Sequence, residues 1–165
     1  LLEPLARGLG HRTLRVTRAG LVGEAAARLA ALPHVELVDP APIEHLLAGA
    51  SVLVVPSQWE EPFGRVAFEG LAAGVPTLAS AVGGPAGLVP AEQLVRPPDE
   101  PAAWLAALAS LEDHAAWEAA RERGLSAARA VLALDAPERL ERLLVAVAAG
   151  RLRARTPRRA PVRTR

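Results

Sequence analysis

The residue types best suited to chemistry lie in one loop and the start of one helix, within residues 56–76. The apolar run Val52–Val55 ends at Pro56, and Gly64 precedes a predicted helix. A glycine there lets the backbone approach a ligand without a Cβ in the way. The first N–H groups of a helix that begins at Arg65 have no intrahelical partners, so with the helix dipole they favour an anion such as phosphate.

Glu69 lies one helical turn beyond that start. At a rise of about 1.5 Å per residue, its carboxylate is roughly 6 Å along the helix axis from the predicted phosphate position. A carboxylate so far away cannot bind the phosphate, but it can accept two hydrogen bonds from a vicinal diol such as the hydroxyls of a ribose. The segment therefore predicts a site for a nucleoside phosphate.

The elements around this segment alternate between short β-branched runs and Ala- and Leu-rich stretches. The predicted strands are Leu14–Thr17, Val35–Val38, Val52–Val55, Thr77–Ser80 and Leu94–Val95. The predicted helices are 21–32, 43–48, 65–73, 101–111 and 113–147, the last broken near Gly124 and Pro137. The alternation predicts an α/β fold, a Rossmann-like parallel sheet with flanking helices. Ligands bind such sheets beyond the carboxyl ends of the strands, which is where the loop after Val55 lies.

Composition limits the kinds of site that the chain can form. It has 165 residues, 51% of them hydrophobic, enough for one globular domain, which we place at 1–150. The absence of cysteine excludes disulfides and thiolate metal sites, and the four His are not spaced as metal ligands, so we expect no metal and no other cofactor. Because the chain has no cysteine and no apolar run long enough to span a bilayer, we expect a cytoplasmic location, and a peripheral place at the inner face of the membrane stays open.

The charge is distributed unevenly along the chain. Residues 1–150 carry 12 Arg and 18 acidic residues, whereas 151–165 carry seven Arg and no acid. We predict that 151–165 form a disordered tail. Three interpretations stay open for it: a solvated terminus, a weak contact with anionic membranes, or nucleic-acid binding. The last is the weakest, because no aromatic residues lie between the arginines.

The stretch PSQWEEPFGRVAFEGLAAGVP, residues 56–76, resembles the signature of a large family of retaining glycosyltransferases. That family includes sucrose synthases, glycogen synthases and bacterial mannosyl- and glucosyltransferases. Its signature has two Glu separated by seven residues, here Glu61 and Glu69, with Pro-Phe-Gly after the first and Ala-x-Gly-x-Pro at the helix end. The resemblance extends to residues 50–57, Val82-Gly83-Gly84 and Pro97-Pro98-Asp99, and covers most of 13–147.

This resemblance implies the C-terminal, donor-binding half of an enzyme with two facing Rossmann-like domains, the GT-B fold. Such enzymes transfer a sugar from a nucleoside-diphosphate sugar to an acceptor with retention of configuration. By resemblance, Glu69 would bind the donor ribose and Glu61 would be the catalytic residue that contacts the donor sugar. The other donor-binding residues would act through backbone amides near Phe63, Gly64, Arg65 and Val66. An N-terminal acceptor-binding domain, in the same or another chain, would be the partner.

The chain departs from the family pattern in two places. Leu1–Gly8 resembles the helix that follows the first strand of the family's domain, so that strand, with its Arg and Lys, would lie upstream. Its absence would leave a gap between the strands 14–17 and 52–55, and Arg18 is a possible substitute phosphate cation. The paired glycines Gly83-Gly84, which we expect to form a turn, are not followed by the Glu common in relatives. The alternative function is therefore a degenerate, non-catalytic nucleotide-sugar-binding or assembly module.

Overall fold

The computed structural model describes residues 1–18 and 21–134, together with Val145. Residues 1–131 form one compact unit. Of the second unit, Leu132–Arg165, only 132–134 and Val145 are described. The predicted break at Pro137 and the predicted tail 151–165 lie outside the described residues and stay predictions.

The fold alternates between helices and parallel strands, as predicted. The strands are β1 (Leu14–Thr17), β2 (Val35–Val38), β3 (Leu53–Val55), β4 (Thr77–Ser80) and β5 (Leu94–Val95). The helices are α1 (Leu2–Gly8), α2 (Gly23–Ala30), α3 (Ile43–Leu47), α4 (Arg65–Ala72), α5 (Gly83–Leu88), α6 (Pro101–Ala109) and α7 (His114–Leu132). Every strand pair is parallel, so the predicted fold class is confirmed.

The strands form two separate sheets rather than one. Within the described residues, β1 pairs only with β2, and β3, β4 and β5 form a second sheet with β4 in the middle. Hydrogen bonding is thus interrupted between β1 and β3, where the sequence predicts a gap. Helix α1 packs against both α2 and α6, so it lies beside both sheets.

Two hydrophobic clusters cover the two faces of the second sheet. Because successive strand residues point to opposite faces, the neighbours Leu78 and Ala79 belong to different clusters. One cluster lies against α4, α5 and α7 and consists of Val55, Ala67, Leu71, Ala79, Leu88, Val89 and Ala128. The other involves α1 and α6 and consists of Leu5, Leu78, Val95 and Trp104.

Two of the sequence predictions are wrong. Helix α7 continues through Gly124 instead of breaking there. A Cβ at Gly124 would lie 2.9 Å from Leu71 Cδ2, so the glycine is explained by close packing of α7 on α4. Gly83 and Gly84, expected in a turn, open helix α5. Pro85 fits the first helical turn because its missing N–H has no intrahelical partner there, and burial of Leu88 and Val89 holds the short helix against the sheet.

No helix in the described part of the chain combines the length and apolar character needed to cross a membrane.

Candidate functional site

The predicted anion site lies at the start of α4. Gly64 is the N-cap, with a φ of +84° that favours glycine, and no side chain caps the helix. The first amide bonded back into the helix is that of Phe68, which donates to the carbonyl of Gly64. The amides of Arg65, Val66 and Ala67 have no acceptor among the described residues, so this helix end can bind an anion as the sequence predicts.

Glu69 lies on the first turns of the same helix, neither in the core nor fully in solvent. Its side chain is 30% exposed, and Arg65 Nε lies 3.7 Å from Glu69 Oε1. Arg65 is 83% exposed, and an ion pair of that kind contributes at most about 1 kcal/mol. The pair therefore does not prevent the Glu69 carboxylate from exchanging its partner for ligand hydroxyls.

Glu61 is half-buried in the loop between β3 and α4. The hydroxyl of Ser57 donates a hydrogen bond of 2.6 Å to Glu61 Oε1. The amide of Glu61 donates to the carbonyl of Trp59, and its own carbonyl accepts from the amide of Gly84 at 2.7 Å. Backbone and carboxylate are thus both held. Ser57 and Gly84 are absent from the predicted site; a Ser two positions after the end of β3 is the signal that could have suggested the first contact.

Apolar side chains are exposed on this loop and helix start. Trp59 is 65% exposed, Phe63 48% and Val66 44%, although Phe63 also contacts the ring of Phe68 at a centroid distance of 5.8 Å. Exposed large apolar residues concentrated in eight positions indicate a binding surface. The exposure of Trp59 fits a platform for a ligand better than an internal anchor of the loop.

Arg18 makes its polar contacts beside β2 and not at the start of α4. It follows β1 and is exposed, with Arg18 Nε 3.8 Å from Asp39 Oδ1 of the residue after β2. Its guanidinium also donates to the carbonyl of Leu37 at 3.5 Å. Both contacts belong to the β1–β2 sheet, so the role of Arg18 as a phosphate cation stays a prediction.

A cavity of about 430 Å³ lies beside the loop that follows β3. Pro56 and Gln58 line one side, and the start of α1 and part of α2 line the rest: Leu1, Leu2, Glu3, Pro4, Leu21, Ala25, Arg28 and Leu29. The Arg7 side chain, hydrogen-bonded to Glu3, holds the pKa of that carboxyl below its usual value, and the charge of Arg28 acts in the same direction.

In the described part of the chain, no group of three or more His, Cys, Asp or Glu is placed to hold a metal ion.

Comparison with known proteins agrees with the predicted family. A protein from the cps region of Klebsiella pneumoniae is 34% identical over 77 residues, which are 45% of this chain and 21% of that protein. The structure of sucrose-phosphate synthase from Thermosynechococcus elongatus is 29% identical, with a TM-score of 0.67 over 88% of this chain and 42% of that one. Anabaena Alr3699/HepE, solved with UDP-glucose, is 23% identical, with a TM-score of 0.67 over 78% of this chain and 39% of that one.

The chain thus spans about two fifths of the length of the solved structures that it resembles and a smaller part of the Klebsiella protein. Both structures match the α/β fold with parallel strands described above. A family model matches residues 24–129, a range that contains the loop, α4 and both glutamates. The chain belongs to the family described as glycosyl transferases group 1.

Proposed function

We propose that this chain is the donor-binding domain of a retaining glycosyltransferase and that it binds a nucleoside-diphosphate sugar at the start of α4. The observation that carries the proposal is the uncapped helix end at Gly64. One half-buried glutamate, Glu61, precedes it in the chain, and another, Glu69, follows it. The helix end supplies N–H donors for the distal phosphate, and Glu69 accepts hydrogen bonds from the ribose. Glu61 contacts the sugar that is transferred.

The order of these groups fits a nucleotide sugar better than an isolated phosphate. A phosphate needs only the donors of the helix end. The carboxylate of Glu69, a turn further on, would repel a lone anion but can bind neutral hydroxyls next to it. The resolved relative from Anabaena binds UDP-glucose, which makes UDP-glucose the first donor to test.

The binding role of Glu69 is tested by titrating the 165-residue chain with UDP-glucose and following amide chemical shifts by NMR, a method that measures weak affinities. Glu69→Gln keeps the shape but removes the charged acceptor, so we expect affinity to fall by about tenfold or more, given about 1.5–3 kcal/mol for a hydrogen bond to a charged group. Glu44→Gln, with the same charge change on the exposed surface of α3, is the matched control and should bind as the parent does. Equal binding by both variants would rule out the ribose role.

We also propose that turnover needs chain beyond these 165 residues: a strand between β1 and β3, and an acceptor-binding domain. In a strand, the N–H and C=O of one residue point to the same side. The amides of Leu14 and Arg18 donate toward β2, to the carbonyls of the residue before it and of its last residue, so the main-chain groups of Arg15 and Thr17 point away from it. Leu53 donates to Pro76 beside β4, so those of Val54 point away from β4. These groups lack a strand partner in the described residues, and an inserted parallel strand would supply one.

Release of UDP from UDP-glucose tests this requirement. We expect no release above the uncatalysed rate from the 165-residue chain, because the phosphate cations and the acceptor-binding site would come from the additional chain. Turnover by this chain alone would contradict the requirement. The alternative, a non-catalytic nucleotide-sugar-binding or assembly module, would be excluded by turnover when an acceptor-binding domain is added.

A further inference from the structure

The two glycines at the start of α5 touch the loop that carries Glu61 through their backbone atoms. The amide of Gly84 donates to the carbonyl of Glu61 at 2.7 Å. A Cβ added at Gly83 would lie 2.7 Å from that carbonyl oxygen, and one added at Gly84 would lie 2.5 Å from the backbone Cα, C and O of Phe63. Contacts below 3.0 Å force something to move, and here the atoms in the way are main-chain atoms. Two adjacent positions thus have no room for any side chain.

This first part of α5, Gly83–Pro85, is anchored in the core. Pro85, which lies against Gly64, is fully buried, and Leu88 and Val89 of the same segment belong to the cluster around Val55 and Leu71. The contact with Glu61 therefore holds the loop against a segment that is packed on the second sheet. It fixes the position of the loop relative to the start of α4.

Ser57 holds the same residue from the other direction. It follows β3 by one residue, and its hydroxyl donates to Glu61 Oε1 at 2.6 Å. A hydrogen bond to one carboxylate oxygen leaves the other oxygen available for a ligand. The backbone of Glu61 is thus held through α5 and its carboxylate through the end of β3.

We propose that Ser57 and the Gly83–Gly84 pair are positioning residues that aim the carboxylate of Glu61 at the sugar of the bound donor. This proposal rests on the proposed function and assigns different parts of the ligand to different residues. Ser57 acts on the sugar part of the ligand through Glu61, whereas Glu69 and the α4 amides hold the nucleoside diphosphate. Gly84 acts on both parts, because displacing Phe63 also displaces Gly64.

The support from α5 is tested without any ligand by two alanine substitutions in one helix. Gly84→Ala puts a Cβ into the backbone of Phe63, whereas an added Cβ at Gly87 meets nothing within 4 Å. We expect Gly84→Ala to shift the NMR amide signals of the non-proline residues in 60–64 and Gly87→Ala to leave them in place. Unchanged signals at 60–64 in a folded Gly84→Ala protein would overturn the support.

The aim of Glu61 is tested with Ser57, whose substitution does not strain the backbone. We expect Ser57→Ala to weaken binding of UDP-glucose by about fivefold, because a misaimed Glu61 loses about the net worth of one hydrogen bond to the sugar, and to leave binding of UDP unchanged. Ser57→Thr keeps the hydroxyl and should restore the affinity for UDP-glucose. An equal loss for both ligands, no loss for UDP-glucose, or no rescue by threonine would overturn the positioning role.

The two tests separate failure of this proposal from failure of the proposed function. If the parent chain binds neither UDP-glucose nor UDP, the proposed function fails for these donors, and the role of Ser57 toward a donor sugar fails with it. The amide signals of Gly84→Ala still decide whether α5 fixes the loop. If the parent binds and only the Ser57 expectations fail, the donor site stands and the aim of Glu61 does not.

Discussion

The two sheets differ in how well their strands are covered. In the second sheet, β4 has a hydrogen-bonded neighbour on each side and all four of its residues are buried. In the first, β1 pairs on one side only, and neither β1 nor β2 has a fully buried residue. Both hydrophobic clusters lie on the second sheet. Both glutamates of the candidate site also follow β3, so the best-packed part of the molecule positions the site.

The difference teaches what a parallel strand needs for burial. A strand covered by helices on both faces and by strands on both edges has no polar main-chain group left over, so it can be buried along its whole length, as residues 77–80 are. A strand with one free edge must keep that edge in contact with water or with another chain. Stability should therefore be uneven across the two sheets.

Shortening a buried side chain should give the largest effect, and the loss of stability should differ between the two sheets. Leu71 is fully buried between the second sheet and Gly124, so Leu71→Ala should lower the free energy of unfolding by about 3–5 kcal/mol. Leu29 of α2 is also buried but belongs to neither cluster, so Leu29→Ala should cost about 2 kcal/mol. Urea unfolding of the two variants measures both costs. A larger loss for Leu29→Ala would reverse the comparison.

Amide hydrogen exchange should show an intermediate effect within a single strand. The amides of Leu14 and Arg18 donate to the carbonyls of His34 and Val38 on the β2 side, whereas those of Arg15 and Thr17 point to the free edge of β1. We expect Arg15 and Thr17 to exchange at least about tenfold faster than Leu14, while amides of β4 exchange slowest. Equal protection of Arg15, Thr17 and Leu14 would mean that the edge of β1 facing away from β2 is already covered.

Neutralising Glu3 should give the smallest effect, and that effect should depend on pH. Arg7 and Arg28 lower the pKa of Glu3 in the folded chain, so this pair-wise stabilisation is present above the usual carboxyl pKa and is lost as pH falls through the lowered value. Glu3→Gln should therefore lower the urea midpoint slightly at pH 7, with the difference from the parent closing in acid. Glu44→Gln, exposed on α3, is the matched control variant.

Sequence predicted the elements far better than their contacts. The sequence identified all five strands of the described residues, because runs of at most four residues between helical stretches are too short for helices. The break expected at Gly124 was wrong. Helix propensity disfavours glycine inside a helix, but it takes no account of Leu71, which packs so close to this position that a glycine is suitable there. Helix α5 was missed because Gly-Gly-Pro is typical of a turn, and only burial of Leu88 and Val89 stabilises it as a helix.

The candidate site was predicted in the same uneven way. The helix start at Arg65 and the spacing of Glu61 and Glu69 follow from local sequence. The contact of Glu61 with Gly84 joins residues more than twenty positions apart, and it depends on β3 lying next to β4. A pattern read along one chain does not contain that adjacency.

The most direct test of the account is a map of amide shifts as UDP-glucose is added to the 15N-labelled chain. Binding at the start of α4 predicts that the largest, saturable shifts occur at the amides of Gly64, Arg65, Val66 and Ala67, with smaller ones around Glu61 and Glu69. Saturable shifts confined to the cavity beside α1 and α2, or no saturable shift at all, would contradict a donor site built on this helix.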